Sequence, residues 1–340
     1  MIIIHDFFTQ MGGGENLIVS ISKKYNAKIY TLLNKSYLSN KYIYEIPSFN
    51  FLKIYNKFFF LIISSFFFSI KTKETLIFSG NFAVFSIWRC KSPNKIVYHH
   101  TLPKTVFNEH YMGFDKIFFY RILKIPIIKI MKFNYLKADM IYFNSFKSKK
   151  KFLEIYPDLS HKIDLKVLYP FSSIKFNHTN NNIKRNYLVL NSRHAKEKNI
   201  FSVLDVIKDD PNVSCFLTNT GVMANVIFNK YKKYKNINFC GYLDEDKYEK
   251  LLQESLAIIV PSYDEDFGIG ALDAYNLNIP LLIYKNAGFS EILDDKYDLF
   301  LDKCELPKLI NTLKNNKNRN FYTNKIDLNK IFFKEFDQYK

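Results

Sequence analysis

The chain is poor in cysteine: Cys90, Cys215, Cys240 and Cys304 are the four among 340 residues, and no two form a C-x-x-C pair. That spacing suggests neither a disulfide framework nor a cysteine zinc site, and it fits a reducing cytoplasm. Long apolar runs are lacking as well. The run Phe58–Ile70 stops at 13 residues, short of the about 20 that a spanning helix needs. The opening "MIIIHDFF" has no basic segment, and its apolar run breaks at His5 and Asp6; it is expected to be a first core strand, not an export signal. Zinc-finger spacing and an RNP-like aromatic signature are missing, which disfavours a nucleic-acid partner. No further His or carboxylate stands at ligand spacing from the pair His99 and His100, so no metal is expected.

What is present is a composition suited to folded domains, with 48% hydrophobic and 24% charged residues. A length of 340 residues leads to the expectation of two domains of roughly 150 residues. The net charge of +17 is one-sided: residues 1–170 hold 25 Lys and Arg against 10 Asp and Glu, whereas residues 171–340 hold 24 against 22. A basic first half points to an anionic partner surface, and with nucleic acid disfavoured the acidic face of a membrane remains.

Two stretches bear on that surface. "KFFFLIISSFFFSIKTK" closes its apolar run with Lys57, Lys71 and Lys73, a pattern compatible with a buried core helix or with one seated in the membrane interface. In "YRILKIPIIKIMKF", Leu123, Ile127, Ile130 and Met131 recur at helical spacing, with Arg121, Lys124, Lys129 and Lys132 on the other side and a kink expected near Pro126. Such a basic amphipathic helix can lie on anionic lipid.

Short β-rich segments alternate with helical ones along the first half: "MIIIH", "KIYTLL", "TLIFSG", "KIVYHH" and "MIYFNS". The alternation predicts a parallel sheet wound with helices. It pauses at the polar, asparagine-rich stretch 173–186, read as a linker, then resumes with "YLVLNSR", "VSCFLTN", "INFCGYL", "LAIIVPS" and "IPLLIYK". The expected organisation is a Rossmann-like domain over 1–172, the linker, a second Rossmann-like domain over 187–316 and a helical tail over 317–340 that packs back on the first domain. Two such α/β domains leave a cleft at the carboxyl ends of their strands, where doubly wound sheets bind ligands.

Several residues placed there suit an anionic ligand. In "PSYDEDFGIGALDA", a strand ends at Pro261 and a helix begins near Gly268, Ile269 and Gly270. Free N–H groups at a helix start favour a phosphate, and glycines let it approach. Glu265 and Asp273 flank this turn as candidate ligand contacts. Asp264 and Asp266 are read as solvated acids that complement the helix dipole. Arg193 and Lys198 follow another strand in "LNSRHAKEKNI" and can hold a diphosphate as charge develops on it. Gly12, Gly13 and Gly14 precede Glu15 and a helix; no GK[ST] and no G-x-G-x-x-G accompany them, so the turn is neither a P-loop nor a dinucleotide fingerprint. His99 reads as a packed strand residue and His100, at the strand end, as one that reaches a substrate hydroxyl.

The ordered motifs "GGGE", "HTLPK", "SRHAKEKN", "PSYDEDFGIGALDA" and "NAGFSEIL" together resemble the retaining nucleotide-sugar glycosyltransferases of family 4, which have the GT-B fold. The resemblance spans nearly the whole chain. It implies catalytic or donor roles for Glu265, His100, Arg193 and Lys198, with Glu265 near the donor sugar, Arg193 and Lys198 on the diphosphate, and His100 on the transferred sugar. Backbone at Gly13, Gly14, Phe267, Gly268, Ile269 and Gly270 is implied to approach phosphate and sugar. Asp273 stands where the family has a ribose-binding glutamate, one methylene longer. Glu15 and Lys104 are assigned to the acceptor side, Lys104 replacing a frequent arginine with a point charge.

The implied function is transfer of a hexose-type sugar from a UDP-, GDP- or dTDP-sugar, without a metal or other cofactor, to a hydroxyl of a lipid-linked saccharide in surface polysaccharide (O-antigen or capsule) biosynthesis. The expected site of action is the cytoplasmic face of the membrane. A nucleotide-sugar epimerase of the same fold, or a donor-binding scaffold without turnover, is the alternative. A retaining hydrolase is disfavoured because no second carboxylate faces Glu265 or Asp273.

Overall fold

The computed structural model describes residues 1–8, 12–34, 42–46, 57–102, 118–172, 187–218, 220–293, 305–315, 322 and 325–340. The chain divides into two compact units, Met1–Pro170 with Leu328–Lys340, and Phe171–Asp327. The segment read as a linker, 173–186, and Lys104 lie outside the described residues. The segment read as one tail divides, its described residues up to Asp327 belonging to the second unit and Leu328–Lys340 to the first.

The first unit runs β1 (Ile2–His5), α1 (Gly13–Tyr25), β2 (Lys28–Thr31), β3 (Ile43–Glu45), α2 (Lys57–Phe67), β4 (Leu76–Ser79), β5 (Lys95–His99), α3 (Phe118–Tyr135), β6 (Met140–Phe143), α4 (Phe146–Ile155) and β7 (Asp164–Val167). Its sheet is wholly parallel in the order β3-β2-β1-β4-β5-β6-β7. β1, β4 and β6 are buried along their whole length, as expected when helices cover both faces of a parallel sheet. The edge strands β3 and β7 are short and partly exposed.

The second unit continues with β8 (Tyr187–Leu190), α5 (Ile200–Ile207), β9 (Ser214–Thr218), α6 (Ala224–Tyr231), β10 (Ile237–Gly241), α7 (Glu245–Gln253), β11 (Ser255–Val260), α8 (Ile269–Leu277), β12 (Leu281–Ile283) and α9 (Leu306–Asn315). Its parallel order is β10-β9-β8-β11-β12. One continuous core packs Leu188, Leu190 and Ile259 of the sheet against Val203 and Leu204 of α5, Ile227 of α6 and Ile310 of α9.

The final helix, α10 (Leu328–Phe336), belongs to the first unit. Its Phe332 and Phe336 are fully buried with rings 5.6 and 6.4 Å from that of Tyr98. Tyr142 of β6 donates to Glu335 at 2.6 Å and shares a 2.7 Å hydroxyl contact with Tyr339, while Lys166 on β7 pairs with the same Glu335. Buried aromatic area holds the helix, and the hydrogen bonds fix its register.

Strand order sets where ligand chemistry can occur. In each sheet the winding reverses beside the first strand, between β1 and β4 in one unit and between β8 and β11 in the other. The loops leaving the carboxyl ends of those pairs diverge and leave a crevice.

The two surface stretches are both helical and both pack on the 3₁₀ segment Ala83–Arg89. Among the described side chains of α2, Ser64 and Ser65 are buried, while Phe67 is 52% exposed. In α3, which contains Pro126, Ile127 and Met131 are buried as the periodicity predicts, but Ile130 is exposed, together with Ile125, Phe133 and Leu136. That corrects the two-faced pattern read from the sequence: the outer face of α3 mixes large apolar side chains with lysines. Lys137 lies 5.5 Å from the centre of the Phe133 ring, and Arg89 lies 5.5 Å from that of the half-exposed Trp88.

Candidate functional site

Two clusters stand at the two reversals. In the second unit, β8 delivers Asn191 and Arg193, and the short 3₁₀ turn Lys196–Lys198 ends at Asn199 in the left-handed region. That turn aims Lys198 at the loop after β11, where its Nζ lies 2.6 Å from Glu265 Oε2. Side-chain exposures of 21% and 15% make this a partly buried pair, more strongly coupled than a solvated one. Ser262 ties the same two loops by donating to the carbonyl of Glu197 at 3.2 Å. Arg193 pairs with Glu197 at 3.2 Å and is half exposed.

The turn into α8 depends on Gly268, whose φ of +99° suits glycine. The loop before it is laced to the segment 286–289: Gly288 N–H donates to the Glu265 carbonyl at 3.1 Å and Phe289 N–H to that of Phe267 at 2.8 Å. This lacing folds the loop inward and corrects one expectation. Asp266 is buried, at 6% exposure, and is not a solvated acid; Asp264 is half-buried.

Asp273, one turn into α8, is buried and held by three donors. Ser172 donates to its Oδ1 at 3.1 Å, and Tyr248 at 2.7 Å and Asn191 at 3.4 Å donate to its Oδ2. Burial pushes its pKa up to about 6, against the pull of the three donors. Gly270 brings α8 close to β8, its carbonyl accepting from Asn191 at 3.1 Å. The structure thus joins Glu265 to Lys198 and Asp273 to Asn191, Tyr248 and Ser172. Those last three were not singled out from sequence. Asn191 sits at the strand end in "LVLNSR", which is a detectable position; Tyr248 and Ser172 carry no local signal.

In the first unit, β1 ends at His5, β4 at Ser79 and β5 at His99. Ser79 Oγ lies 3.1 Å from His5 Nδ1 and 2.8 Å from His100 Nε2. Beside them Asp6 accepts from the N–H groups of Asn81, Phe82 and Ala83 at 2.6, 2.8 and 2.7 Å, capping the 3₁₀ segment. Gly80, at φ +103°, passes so close that an added Cβ would lie 2.4 Å from the Asp6 carboxyl. Burial raises the Asp6 pKa to about 6 despite the three donors. His99 is packed as read, stacked at 5.6 Å on Phe143, and neither ring nitrogen has a partner. Glu15 receives the Gly12 N–H at 3.1 Å and so caps its own helix. His5, Asp6 and Ser79 are the members of this cluster not marked as candidates from sequence.

Residues 172–325, nearly the whole second unit, match the family described as "Glycosyl transferases group 1". No curated protein matches the chain by sequence. Among solved structures, HepE of Anabaena in complex with UDP and glucose is similar with a TM-score of 0.69 at 15% identity, covering 99% of this chain and 98% of that one. WaaG, a glycosyltransferase involved in lipopolysaccharide biosynthesis, has a TM-score of 0.67 at 12% identity, with both chains covered in full (100%). The lipopolysaccharide outer core galactosyltransferase WaaB has a TM-score of 0.60 at 13% identity, covering 99% and 98%. The fold is the GT-B type, with two Rossmann-like parallel-sheet units.

The buried titratable groups predict an acid response. Burial lowers the pKa of His5 and of His99 to about 3, and that of His100 to about 4. Each ring stays neutral when folded but protonates near 6.5 when unfolded, so the unfolded chain binds more protons between those values, and stability is lost as pH falls through that window. Asp6 acts oppositely, since its raised pKa makes the folded state bind the extra proton between 3.8 and about 6. Three histidines outweigh one acid, and unfolding of the first unit is expected to become easier from pH 6.5 to 4. His99→Phe is expected to reduce the loss of stability between pH 7 and pH 5 by about 2 kcal/mol, measured by urea unfolding at the two pH values. An unchanged loss would contradict the assignment.

Proposed function

We propose, from the match of residues 172–325 to the family described as "Glycosyl transferases group 1", that the chain is a retaining hexosyltransferase of family 4. It moves a sugar from a nucleotide diphosphate sugar to a hydroxyl of a lipid-linked saccharide in surface polysaccharide assembly. The observation that carries this reading is the Lys198–Glu265 pair, at 2.6 Å, across the strand reversal and beside the helix start at Gly268. A cation, a carboxylate and free N–H groups at one turn suit a sugar bearing a diphosphate.

In this mechanism Lys198, Arg193 and the N–H groups of Gly268, Ile269 and Gly270 take up the charge that develops on the departing diphosphate. The acceptor oxygen bonds to the anomeric carbon as the bond from that carbon to phosphate breaks. The acceptor proton passes to the departing phosphate oxygen on the same face, which accounts for retention. Leaving-group charge is assigned to these groups and not to a metal. Glu265 stays near the donor sugar and holds Lys198 in place. Asp273 offers its remaining lone pairs to the ribose; with three protein donors already fixing its carboxylate, the contact demands no reorganisation. The resemblance assigns His100 to the transferred sugar, Gly13 and Gly14 to the donor, and Glu15 and Lys104 to the acceptor.

The same reading places the protein at the cytoplasmic face of a membrane. Among the described residues no helix is long and apolar enough to cross one. The support for surface binding is the exposure of Phe67, Trp88, Ile130 and Phe133, with Arg89 beside Trp88 and Lys137 beside Phe133, since apolar side chains interleaved with cations suit an anionic interface.

Lys198→Ala is expected to lower transfer at least about 100-fold with circular dichroism unchanged, measured as product formed from a nucleotide sugar and acceptor; wild-type turnover would refute its role. For the membrane, flotation should recover more protein with vesicles containing anionic lipid than with neutral ones, and Trp88→Ala combined with Phe133→Ala should reduce recovery. Equal recovery on both vesicle types would count against docking.

A further inference from the structure

At the reversal of the first sheet, one serine hydroxyl stands between two imidazoles. Ser79, fully buried at the end of β4, has its Oγ 2.8 Å from His100 Nε2 and 3.1 Å from His5 Nδ1. A hydroxyl owns one proton, so it donates to one ring and accepts from the other. Both rings are neutral at pH 7, because burial depresses their pKa values to about 3 and about 4. Their tautomers are therefore linked. If His5 Nδ1–H donates to Ser79, the hydroxyl donates to His100 Nε2 and the His100 proton sits on Nδ1. In the opposite sense the hydroxyl donates to His5, His100 donates from Nε2, and its Nδ1 carries a lone pair.

The second nitrogen of His100 is the informative one. Among the described residues the buried Nδ1 has no partner, and it faces Gly14 in the first turn of α1, 3.4 Å from the position a Cβ would take there. The backbone is held as well, since Asn144 Nδ2 donates to the His100 carbonyl at 2.5 Å, and the Tyr98 ring meets the imidazole edgewise at 5.1 Å. The Asp6 carboxylate, the nearest acid in sequence, is committed to three backbone N–H groups. Nε2 is thus paired with Ser79, and Nδ1 is the ring nitrogen without a partner among the described residues.

We propose that His5 and Ser79 are positioning residues that set the tautomer and orientation of His100, so that Nδ1 is the atom it presents to a hydroxyl of the bound sugar beside the glycine turn. This rests on the reading of His100 as a sugar contact. A hydroxyl both donates and accepts and can pair with either tautomer, but a ring that switches between them loses a defined partner.

The test uses the full-length protein with ¹⁵N-labelled histidine. In the wild type, the His100 nitrogens should show one protonated and one bare signal at pH 7.5. Ser79→Ala should move both toward averaged values, and His5→Phe should do the same. In transfer assays Ser79→Ala should lower kcat/KM roughly tenfold, the scale of one lost hydrogen bond, and Ser79→Thr should restore both the spectrum and the rate. A single unchanged His100 tautomer in folded Ser79→Ala, or full turnover in that variant, overturns the proposal. Absence of turnover in the wild type on every nucleotide sugar would count against the transferase reading, while the nitrogen spectra would still decide whether the two rings are linked through Ser79.

Discussion

The direction of the strands constrains everything else in this protein. Because every strand pairing in both sheets is parallel, every strand of a sheet delivers its following loop to the same edge, and the only place where neighbouring loops part is the reversal of winding. The side chains found there are the ones with chemistry to offer. His5 and Ser79 end β1 and β4; Asn191 and Arg193 follow β8, and Glu265 follows β11. Each cluster needs a strand that ends in a polar residue at the right position in the order, and a left-handed turn beside it, at Gly80 in one unit and at Asn199 and Gly268 in the other.

Within that frame the Lys198–Glu265 pair has a double role. Removing either partner from a partly buried pair leaves a charge that its surroundings no longer compensate, which is typically costly. The same pairing keeps a cation aimed at the helix start, where a phosphate is favoured by free N–H groups. Asp273 shows the same economy by different means: burial raises its pKa, and Tyr248, Asn191 and Ser172 restrain the rise by donating to the carboxylate. Such an acid is held rigidly before any ligand arrives, and preorganisation of this kind reduces the ordering cost of binding.

The central strands were legible in the sequence because strands buried on both faces read as apolar runs, and all five of the second unit coincide with the segments picked out there. β3 and β7 were not, since "IYE" and "DLKV" are short edge segments with no apolar run. Lys198 and Glu265 were legible as members of ordered motifs, but their contact was not, because it joins residues 67 positions apart. Asp266 looked solvated from its acidic neighbours; the backbone bonds to Gly288 and Phe289 that turn its loop inward leave no mark on local composition. His5 and Ser79 were overlooked for a related reason. A lone serine or histidine at a strand end acquires meaning only when strand order brings the two together across 74 residues.

The central claim is that the second unit binds a nucleotide diphosphate sugar at the turn between Lys198 and Gly268. A thermal-shift series with UDP-, GDP- and dTDP-sugars, each set beside its nucleoside monophosphate, tests it most directly. At least one diphosphate sugar should stabilise the protein by about 2.7 kcal/mol over the ligand-free form at a concentration of 100 Kd, and its monophosphate at the same concentration much less. Equal shifts with monophosphates and diphosphate sugars, or no shift with any of them, would contradict the account.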